Sequence, residues 1–287
     1  MFKNILVPDL DGTCNPDALR LSVQIARMFE GHVLCLHVRH SASELGRYIM
    51  PTNPETAIYS SQLVQSLIEA DRRRAERSRR VFDAFCARER LDHDGPVTAA
   101  WREGDGNVCD QAIQRGYYHD MVVLGRPSGS GDLSKGDAAD ILVNCGRPVL
   151  LAPAAALSNP LSTVVIGWKE SAPAAKAVAA ALPLLAEAST VHILGVAERS
   201  CDAGPVLVAV ERLAAYLRSH GLAPQAGHVV SDDRDPAEVL LEAASERLHG
   251  GLLVMGAYAH SRAREFVFGG FTRHVLRSAS LPVLLAH

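Results

Sequence analysis

The stretch HDMVVLGR at residues 119–126 recurs in altered form as GGLLVMGA at residues 250–257. A second pair of similar stretches follows, RPVLLAP at residues 147–153 and LPVLLAH at residues 281–287. Each contains a short aliphatic run bounded by glycine or proline, which is typical of a buried strand in a parallel sheet. The same pair of strands therefore ends both halves of the chain, and this internal repeat predicts two similar domains.

Outward from these repeats, strand patterns alternate with helical patterns, as in βαβ units. Strands are predicted at residues 4–7, 32–38, 96–101, 119–124 and 146–151 of the first half, and at 163–166, 191–196, 225–230, 251–255 and 282–286 of the second. Asn15, Ser171 and Asp235 are predicted helix N-caps, and Pro183 is predicted to bend or end its helix. The sequence thus predicts an α/β protein with two doubly wound, flavodoxin-like domains, each a five-stranded parallel sheet with helices on both faces. The domains are predicted at residues 1–155 and 160–287, joined by a linker at 154–160.

The first half is longer because it contains an irregular stretch at residues 39–60 and a polar helix predicted at 61–90, neither of which has a counterpart in the second half. The arginines of this helix are predicted to form a solvated face, and the neighbouring acidic residues dilute their charge. The opposite, packed side is predicted to consist of apolar residues: Val64, Ile68, Ala75, Phe82 and Phe85.

Composition limits the class of protein. The chain has 287 residues, is 48% hydrophobic and carries a formal net charge of −3, which excludes a disordered chain and disfavours a nucleic-acid binder. No apolar run is long enough for a signal peptide or a membrane span, so a cytoplasmic location and no membrane association are expected. The six cysteines include no CxxC pair, and we expect most of them to be reduced and buried.

The loop after the fourth strand of the second half is the sharpest candidate for a binding site, because ligands of open α/β sheets collect at the carboxyl ends of strands. It reads GAYAHSRAREFVFGGFT at residues 256–272. Gly256 would allow a tight exit from the strand, while Gly269 and Gly270 would present free amides at a helix N-terminus, where anions bind. Thr272 would add a hydroxyl. Further donors and positive charge would come from His260, Ser261, Arg262 and Arg264. In the alternative interpretation, the glycines only permit a tight crossover and the arginines are solvated.

The motifs together resemble a tandem universal stress protein. GAYAHSR at 256–262, GGFTRHVL at 269–276 and the closing LPVLLAH resemble the second domain of such proteins, and ILVPDLDGT at 5–13 with HDMVVLGR resembles the first. The resemblance implies strand order 3-2-1-4-5 in each half, a stress-response role and an intramolecular pseudo-dimer with the two final strands at its interface. It implies possible ligands, ATP or AMP, without a required cofactor. Homodimerisation and protein partners stay open.

ATP-binding members of this family carry glycine, two residues, glycine, nine residues, glycine and then serine or threonine. Here Gly256 and Gly269 match the first and last glycines, Ala259 replaces the second glycine and Gly270 replaces the serine. Thr272 falls near a hydroxyl position used downstream. The resemblance therefore implies that nucleotide phosphates bind this loop of the second domain.

The base of the nucleotide would be lined by Gly167, Trp168 and Val196. Binding members have an aspartate after the first strand, but the second half has Trp168 there, which would either stack on the base or fill its place. In the first half, Asp9 or Asp11 could be that aspartate, yet the loop at 125–137 lacks the nine-residue spacing.

Catalysis is not predicted. No GxSxG nucleophile elbow occurs, and the twelve histidines are dispersed without an HxH or HExxH pattern, so His37, His40, His192 and His287 are expected to be packing or surface residues. Weak nucleotide hydrolysis stays open. The leading hypothesis is a nucleotide-binding stress protein, and the alternative is a ligand-free interaction scaffold in stress signalling.

Overall fold

The computed structural model describes residues 1–39, 54–91, 94–126, 137–153, 161–257 and 270–287, with the side chains of the longest helix described from residue 62. The strands are β1 (Asn4–Asp9), β2 (His32–Arg39), β3 (Thr98–Asp105), β4 (Met121–Leu124), β5 (Val149–Leu151), β6 (Thr163–Gly167), β7 (Thr190–Ala197), β8 (Gln225–Val230), β9 (Leu252–Gly256) and β10 (Val283–Ala286). The α-helices are α1 (Pro16–Phe29), α2 (Pro54–Glu89), α3 (Val108–Gly116), α4 (Asp137–Asn144), α5 (Ala172–Glu187), α6 (Ala203–Ser219), α7 (Pro236–Glu242) and α8 (Gly270–Ser278).

The described residues divide into two compact units. One contains Phe2–Val123, and the other contains Leu124–Arg126 together with the described residues from 137 onward. The last helix and the last strand of the first half, α4 and β5, therefore belong to the same unit as the second half. The predicted domain boundaries at residues 155 and 160 fall on the segment 154–160, which lies outside the described residues, and stay a prediction.

In the first unit the strands follow the order β3-β2-β1-β4, and the described pairings of β1 with β2 and β4, and of β2 with β3, are parallel. Strand β4 is buried along its whole length, whereas β3, at the edge of this order, is only partly buried. Helix α1 begins at Pro16, because Asn15 accepts hydrogen bonds from the amides of Asp17 and Ala18. The predicted strand order and first N-cap are confirmed.

In the second unit the order is β5-β10-β9-β6-β7-β8. The strands of the second half thus follow the predicted 3-2-1-4-5 order, and all of their pairings are parallel. Strand β5 pairs with β10 in the antiparallel sense, with Leu150 opposite Leu284, and the amide of Ala152 donates to the carbonyl of Leu124. The two final strands therefore lie side by side, as the family resemblance implied.

Two details of the helices correct the sequence prediction. Helix α2 begins at Pro54 rather than at residue 61, so the end of the stretch predicted as irregular is helical. Proline is tolerated in the first turn of a helix, where its missing amide would have no partner. Ile68 is 42% exposed instead of packed, while Ala75, Phe82 and Phe85 are buried as predicted.

Proline in the interior of α5 does not end the helix. Pro183 lies inside α5, which continues to Glu187, because the buried face of the helix holds it against the sheet on both sides of the proline. The N-caps Ser171 and Asp235 are confirmed, since their side chains accept from the amides of Ala174 and Ala237. Within the described ranges, no helix is long and apolar enough to cross a membrane.

Candidate functional site

The carboxyl ends of three neighbouring strands form the candidate site of the second half. Strand β6 lies between β7 and β9, and its last residue, Gly167, is in register with Leu194 of β7 and Met255 of β9. After β6 the chain continues to its neighbour β7 on one side, and a later crossover brings it back to β9 on the other side of β6. The strand order therefore reverses at β6, and the carboxyl end of β6 is the topological switch point of the sheet. Such points are where doubly wound sheets bind ligands.

Gly256 ends β9 at this edge, and close packing explains why it is glycine. A Cβ at Gly256 would overlap the backbone nitrogen of Ala174 and lie 2.7 Å from the carbonyl carbon of Pro173, both in the first turn of α5. Backbone atoms cannot move aside as a flexible side chain can. The glycine is therefore required by the approach of α5 to β9, whether or not a ligand binds.

Trp168 occupies the position directly after β6. Its amide donates to the carbonyl of Leu194 at 2.8 Å, which extends the pairing of β6 with β7 by one residue. The side chain is half-buried, and its indole Nε1 is shielded from solvent without a hydrogen-bond partner among the described residues. A shielded indole N–H normally has an acceptor. Val196, near the end of β7, is also half-buried at this edge.

The phosphate side of the candidate site is the start of α8. Gly270 is the first residue of this helix, and a Cβ built there would meet no described atom within 4 Å. Thr272 is only 5% exposed, so its side chain points into the protein and not along the helix N-terminus. One turn later, His274 Nδ1 donates to Asp235 Oδ2 at 2.9 Å, and the other oxygen of that carboxylate caps α7. This pair fixes α8 against the start of α7.

The structure thus places five predicted site residues at one edge of the sheet or at the helix that follows it: Gly167, Trp168, Val196, Gly256 and Gly270. Thr272 lies in the same helix but is turned inward. The remaining predicted residues lie outside the described residues: Ala259, His260, Ser261, Arg262 and Gly269. The loop donors that were predicted to surround a polyphosphate are all among these residues, so their role stays a prediction.

The equivalent edge of the first half is filled by side chains of the protein itself. Asp9, the last residue of β1, has a fully buried carboxylate whose Oδ2 accepts from His37 Nδ1 at 2.8 Å and from Ser78 Oγ at 2.6 Å. Its Oδ1 accepts from the amide of Cys14 at 2.8 Å. Trp101 Nε1 donates to Ser78 Oγ at 3.2 Å, and the Trp101 ring stacks on His37. We call Asp9, His37, Ser78 and Trp101 the Asp9 cluster.

Electrostatics keep Asp9 ionised in this cluster. Burial alone would raise the pKa of its carboxyl, but the hydrogen bonds from His37, Ser78 and the Cys14 amide outweigh burial and hold the pKa below its ordinary value. The His37 side chain is 1% exposed, and its Nε2 has no hydrogen-bond partner among the described residues. Because Ser78 and His37 share one carboxylate oxygen, and Ser78 does not bond His37, the cluster does not have the geometry of a catalytic triad.

Sequence reasoning named Asp9 and treated His37 as a packing or surface residue, but it did not connect the two. The register of β1 and β2 places Asp9 opposite His37, and this signal was available once the strands were predicted as neighbours. Ser78 had no such signal, because its position depends on how α2 lies over the sheet. Asp11, the other candidate, accepts from the amide and hydroxyl of Thr13 in a local turn.

Metal ligation finds no support in the described ranges, where no group of three or more His, Cys, Asp or Glu side chains could hold an ion. His192 of β7 is partly buried, and burial lowers its pKa, which fits a packing role.

Comparisons with known proteins agree with this fold. Residues 160–287 match the universal stress protein family. No curated protein sequence matches the chain.

Among solved structures, a universal stress protein from Archaeoglobus fulgidus DSM 4304 is similar over 99% of this chain and 95% of its own, with 13% identity and a TM-score of 0.60. A universal stress protein from Pseudomonas aeruginosa UCBPP-PA14, described as putative, is similar over 99% and 93%, with 15% identity and a TM-score of 0.55. A functionally unknown protein from Pseudomonas aeruginosa PAO1 covers 99% and 92%, with 16% identity and a TM-score of 0.56. Residues 160–287 therefore match the universal stress protein family, and the chain as a whole has the fold of the solved universal stress proteins that it resembles.

Proposed function

We propose that the second half of the chain binds an adenine nucleotide, ATP or AMP, at the carboxyl edge of β6, β7 and β9. The observation that carries this proposal is the start of α8, where Gly270 is exposed and a Cβ built on it would meet no described atom within 4 Å. The first amides of a helix and its dipole favour a phosphate at this position. Gly269, Ala259, His260, Ser261 and Arg262 would complete the phosphate side from the preceding loop.

The base would lie against Trp168 and Val196. The indole Nε1 of Trp168 lacks an acceptor among the described residues, and Gly167 keeps the backbone beside it free of a side chain. Base stacking on an aromatic ring contributes about 1–3 kcal/mol in nucleic-acid complexes. A tryptophan in place of an aspartate would therefore shift recognition of the base from hydrogen bonding toward stacking.

The two tryptophans of the chain make a direct test feasible. In a Trp101→Phe variant, Trp168 is the sole tryptophan and reports on its own surroundings. ATP or AMP is expected to quench its fluorescence in a saturable way, and calorimetry on the unaltered chain should give the same Kd. Absence of both signals at millimolar nucleotide would sink the proposal.

A change of charge at Gly270 can test phosphate binding separately from any effect of the substitution on folding. Gly270→Glu places a carboxylate at the helix N-terminus, where it favours the helix dipole but repels phosphate. Gly270→Gln is the matched neutral control, since glutamine has nearly the size and shape of glutamate without its charge. We expect the Kd for ATP to rise about tenfold or more in Gly270→Glu relative to Gly270→Gln, corresponding to about 1.4 kcal/mol. Equal affinities would remove α8 from the site.

The second candidate function is a ligand-free interaction scaffold in stress signalling. It is favoured by the Asp9 cluster, which occupies the first-half edge, and by Gly256, whose identity packing already explains. A scaffold would keep its protein partners in Gly270→Glu.

We further propose that the protein acts in the cytoplasm in a stress response and is not an enzyme. A phosphate-release assay with ATP should therefore show no turnover.

A further inference from the structure

Two thiols of the first half lie in contact in its interior. Cys14, in the turn before α1, and Cys35, in β2, have their Sγ atoms 3.3 Å apart, and both residues are buried. None of the six cysteines is in a disulfide. The pair does not belong to the proposed nucleotide site, which lies in the second half.

We propose that Cys14 and Cys35 are a redox modification site, at which a peroxide converts the two thiols into a reversible intramolecular disulfide that closes the chain around α1.

The geometry already favours the bond. Disulfide sulfurs are about 2.05 Å apart, so these two sulfurs need to approach by only about 1.3 Å. The amide of Cys14 donates to Asp9 Oδ1 at 2.8 Å, and β1 and β2 are paired in register, so both thiols are held by the same part of the sheet.

The reaction balances with hydrogen peroxide as the oxidant. The thiolate of one cysteine attacks a peroxide oxygen, which breaks the O–O bond and gives a sulfenic acid and, after protonation, water. The second thiolate then attacks the sulfenic sulfur, forms the S–S bond and displaces hydroxide, which takes up a proton to become a second water. Two thiols lose two electrons and two hydrogens in total. A dithiol reductant reverses the bond by thiol–disulfide exchange.

Burial sets the rate of this reaction. The hydrogen bond to Cys14 and then burial raise the pKa of Cys35 well above its ordinary value, so little thiolate is present at neutral pH. Because Cys14 is 1% and Cys35 0% exposed, peroxide reaches the pair only when the surrounding structure opens locally. We expect oxidation over minutes to hours and faster oxidation at higher pH.

Peptide mapping tests the proposal on the whole chain. The protein is treated with hydrogen peroxide, its remaining thiols are alkylated, and it is digested with trypsin without reduction. Cys14 then lies in the peptide of residues 4–20 and Cys35 in that of residues 28–39. We expect these two peptides to be joined with a mass loss of 2 Da, and to be separated again after dithiothreitol.

Two variants and one physical measurement complete the design. Cys14→Ala should abolish the joined peptide, whereas Cys201→Ala, at an exposed cysteine, should leave it unchanged. In the unaltered chain, oxidation should raise the Tm by about 5 °C, because the disulfide restricts the unfolded chain. This measurement needs no variant to fold. The proposal is overturned if both thiols are still alkylated while Cys201 is oxidised, or if a joined peptide involves other cysteines only.

Discussion

Asp9 is a buried aspartate at the end of a strand that binds groups of the protein itself. It is the last residue of β1, where the family resemblance implies an aspartate in nucleotide-binding members, and here its carboxylate accepts from His37, Ser78 and the amide of Cys14. Each hydrogen bond to a charged group contributes about 1.5–3 kcal/mol to stability. The carboxylate has thus become a structural anchor that links β1 to β2 and α2.

Asp9→Asn should therefore destabilise the first unit. In either orientation the amide would turn its N–H donors toward another donor, the Cys14 amide on one side or His37 and Ser78 on the other. Removing one partner from a buried charged network costs about 3 kcal/mol. Urea unfolding of the variant should show this loss. Asp11→Asn is the matched control, because the Asp11 carboxylate accepts from Thr13 in a local turn and the bond from Arg74 goes to the Asp11 backbone carbonyl, which the change leaves in place. It should cost less than about 1 kcal/mol. Equal effects of the two changes would contradict the anchoring role of Asp9.

The lowered pKa of Asp9 predicts an acid dependence of stability. Because the folded pKa lies below the unfolded value, the contribution of the ionised carboxylate is present above about pH 4 and is lost as the pH falls through the folded pKa. The unaltered protein should lose more unfolding free energy between pH 5 and pH 3 than Asp9→Asn does. Urea titrations of both proteins at these two pH values measure the difference. A parallel decline in the two proteins would show that Asp9 has an ordinary pKa.

The sequence could predict some residues of the Asp9 cluster and of the second-half site, but not how they pack together. Asp9 was identifiable from its place after a strand, and His37 from strand register, because local patterns specify where strands begin and pair. Ser78 and Trp101 could not be connected to Asp9, since their approach depends on tertiary packing of a helix and an edge strand. In the second half, Trp168 and Gly270 were predicted from motif spacing, but the packing reason for Gly256 required the position of α5.

At the scale of the element, α2 changes character along its length. From residue 75 onward, one stripe of the helix is buried, with Ala75, Ser78, Phe82 and Phe85 at helical spacing. Over residues 62–70, every described side chain except that of Val64 is exposed. Three exposed arginines of α2 form ion pairs along the helix, Arg72 with Glu76, Arg73 with Glu69 and Arg79 with Asp83. The periodicity of the buried part was therefore predictable, whereas the loss of packing toward the N-terminus, which exposes Ile68, was not.

This contrast predicts different costs for two apolar truncations on the same helix. Phe82→Ala should lower the free energy of unfolding by about 3–4 kcal/mol, because Phe82 is 4% exposed and its removal leaves a cavity. Leu67→Ala, at a residue 37% exposed, should cost less than about 1 kcal/mol. Urea unfolding followed by circular dichroism measures both. A large loss in Leu67→Ala would mean that the outer part of α2 is covered in solution.

At the scale of the whole molecule, the repeat and the compact units do not coincide. The sequence repeat ends the first half with β5, but β5 pairs antiparallel with β10 and belongs to the same unit as the second half. RPVLLAP and LPVLLAH are nearly identical stretches, and nothing within either one indicates which strand it will pair with. By pairing, β5 and β10 satisfy the backbone N–H and C=O groups along the edge that each would otherwise leave unpaired. This pairing joins strands that are far apart in the sequence, so local sequence patterns could not predict it.

The pairing predicts how a shortened chain would behave. A fragment of residues 161–287 lacks β5, so the edge of β10, with its buried Val283, Leu284 and Leu285, would be exposed to solvent. An unprotected apolar edge strand recruits another strand, and the nearest available one is β10 of a second copy. Light scattering after gel filtration should therefore find a dimer. The unaltered chain is the control, because its β10 edge is already paired with β5 and offers no site for β10 of a second copy. A monomeric fragment with the Tm of the unaltered chain would show that β5 contributes nothing to the second half.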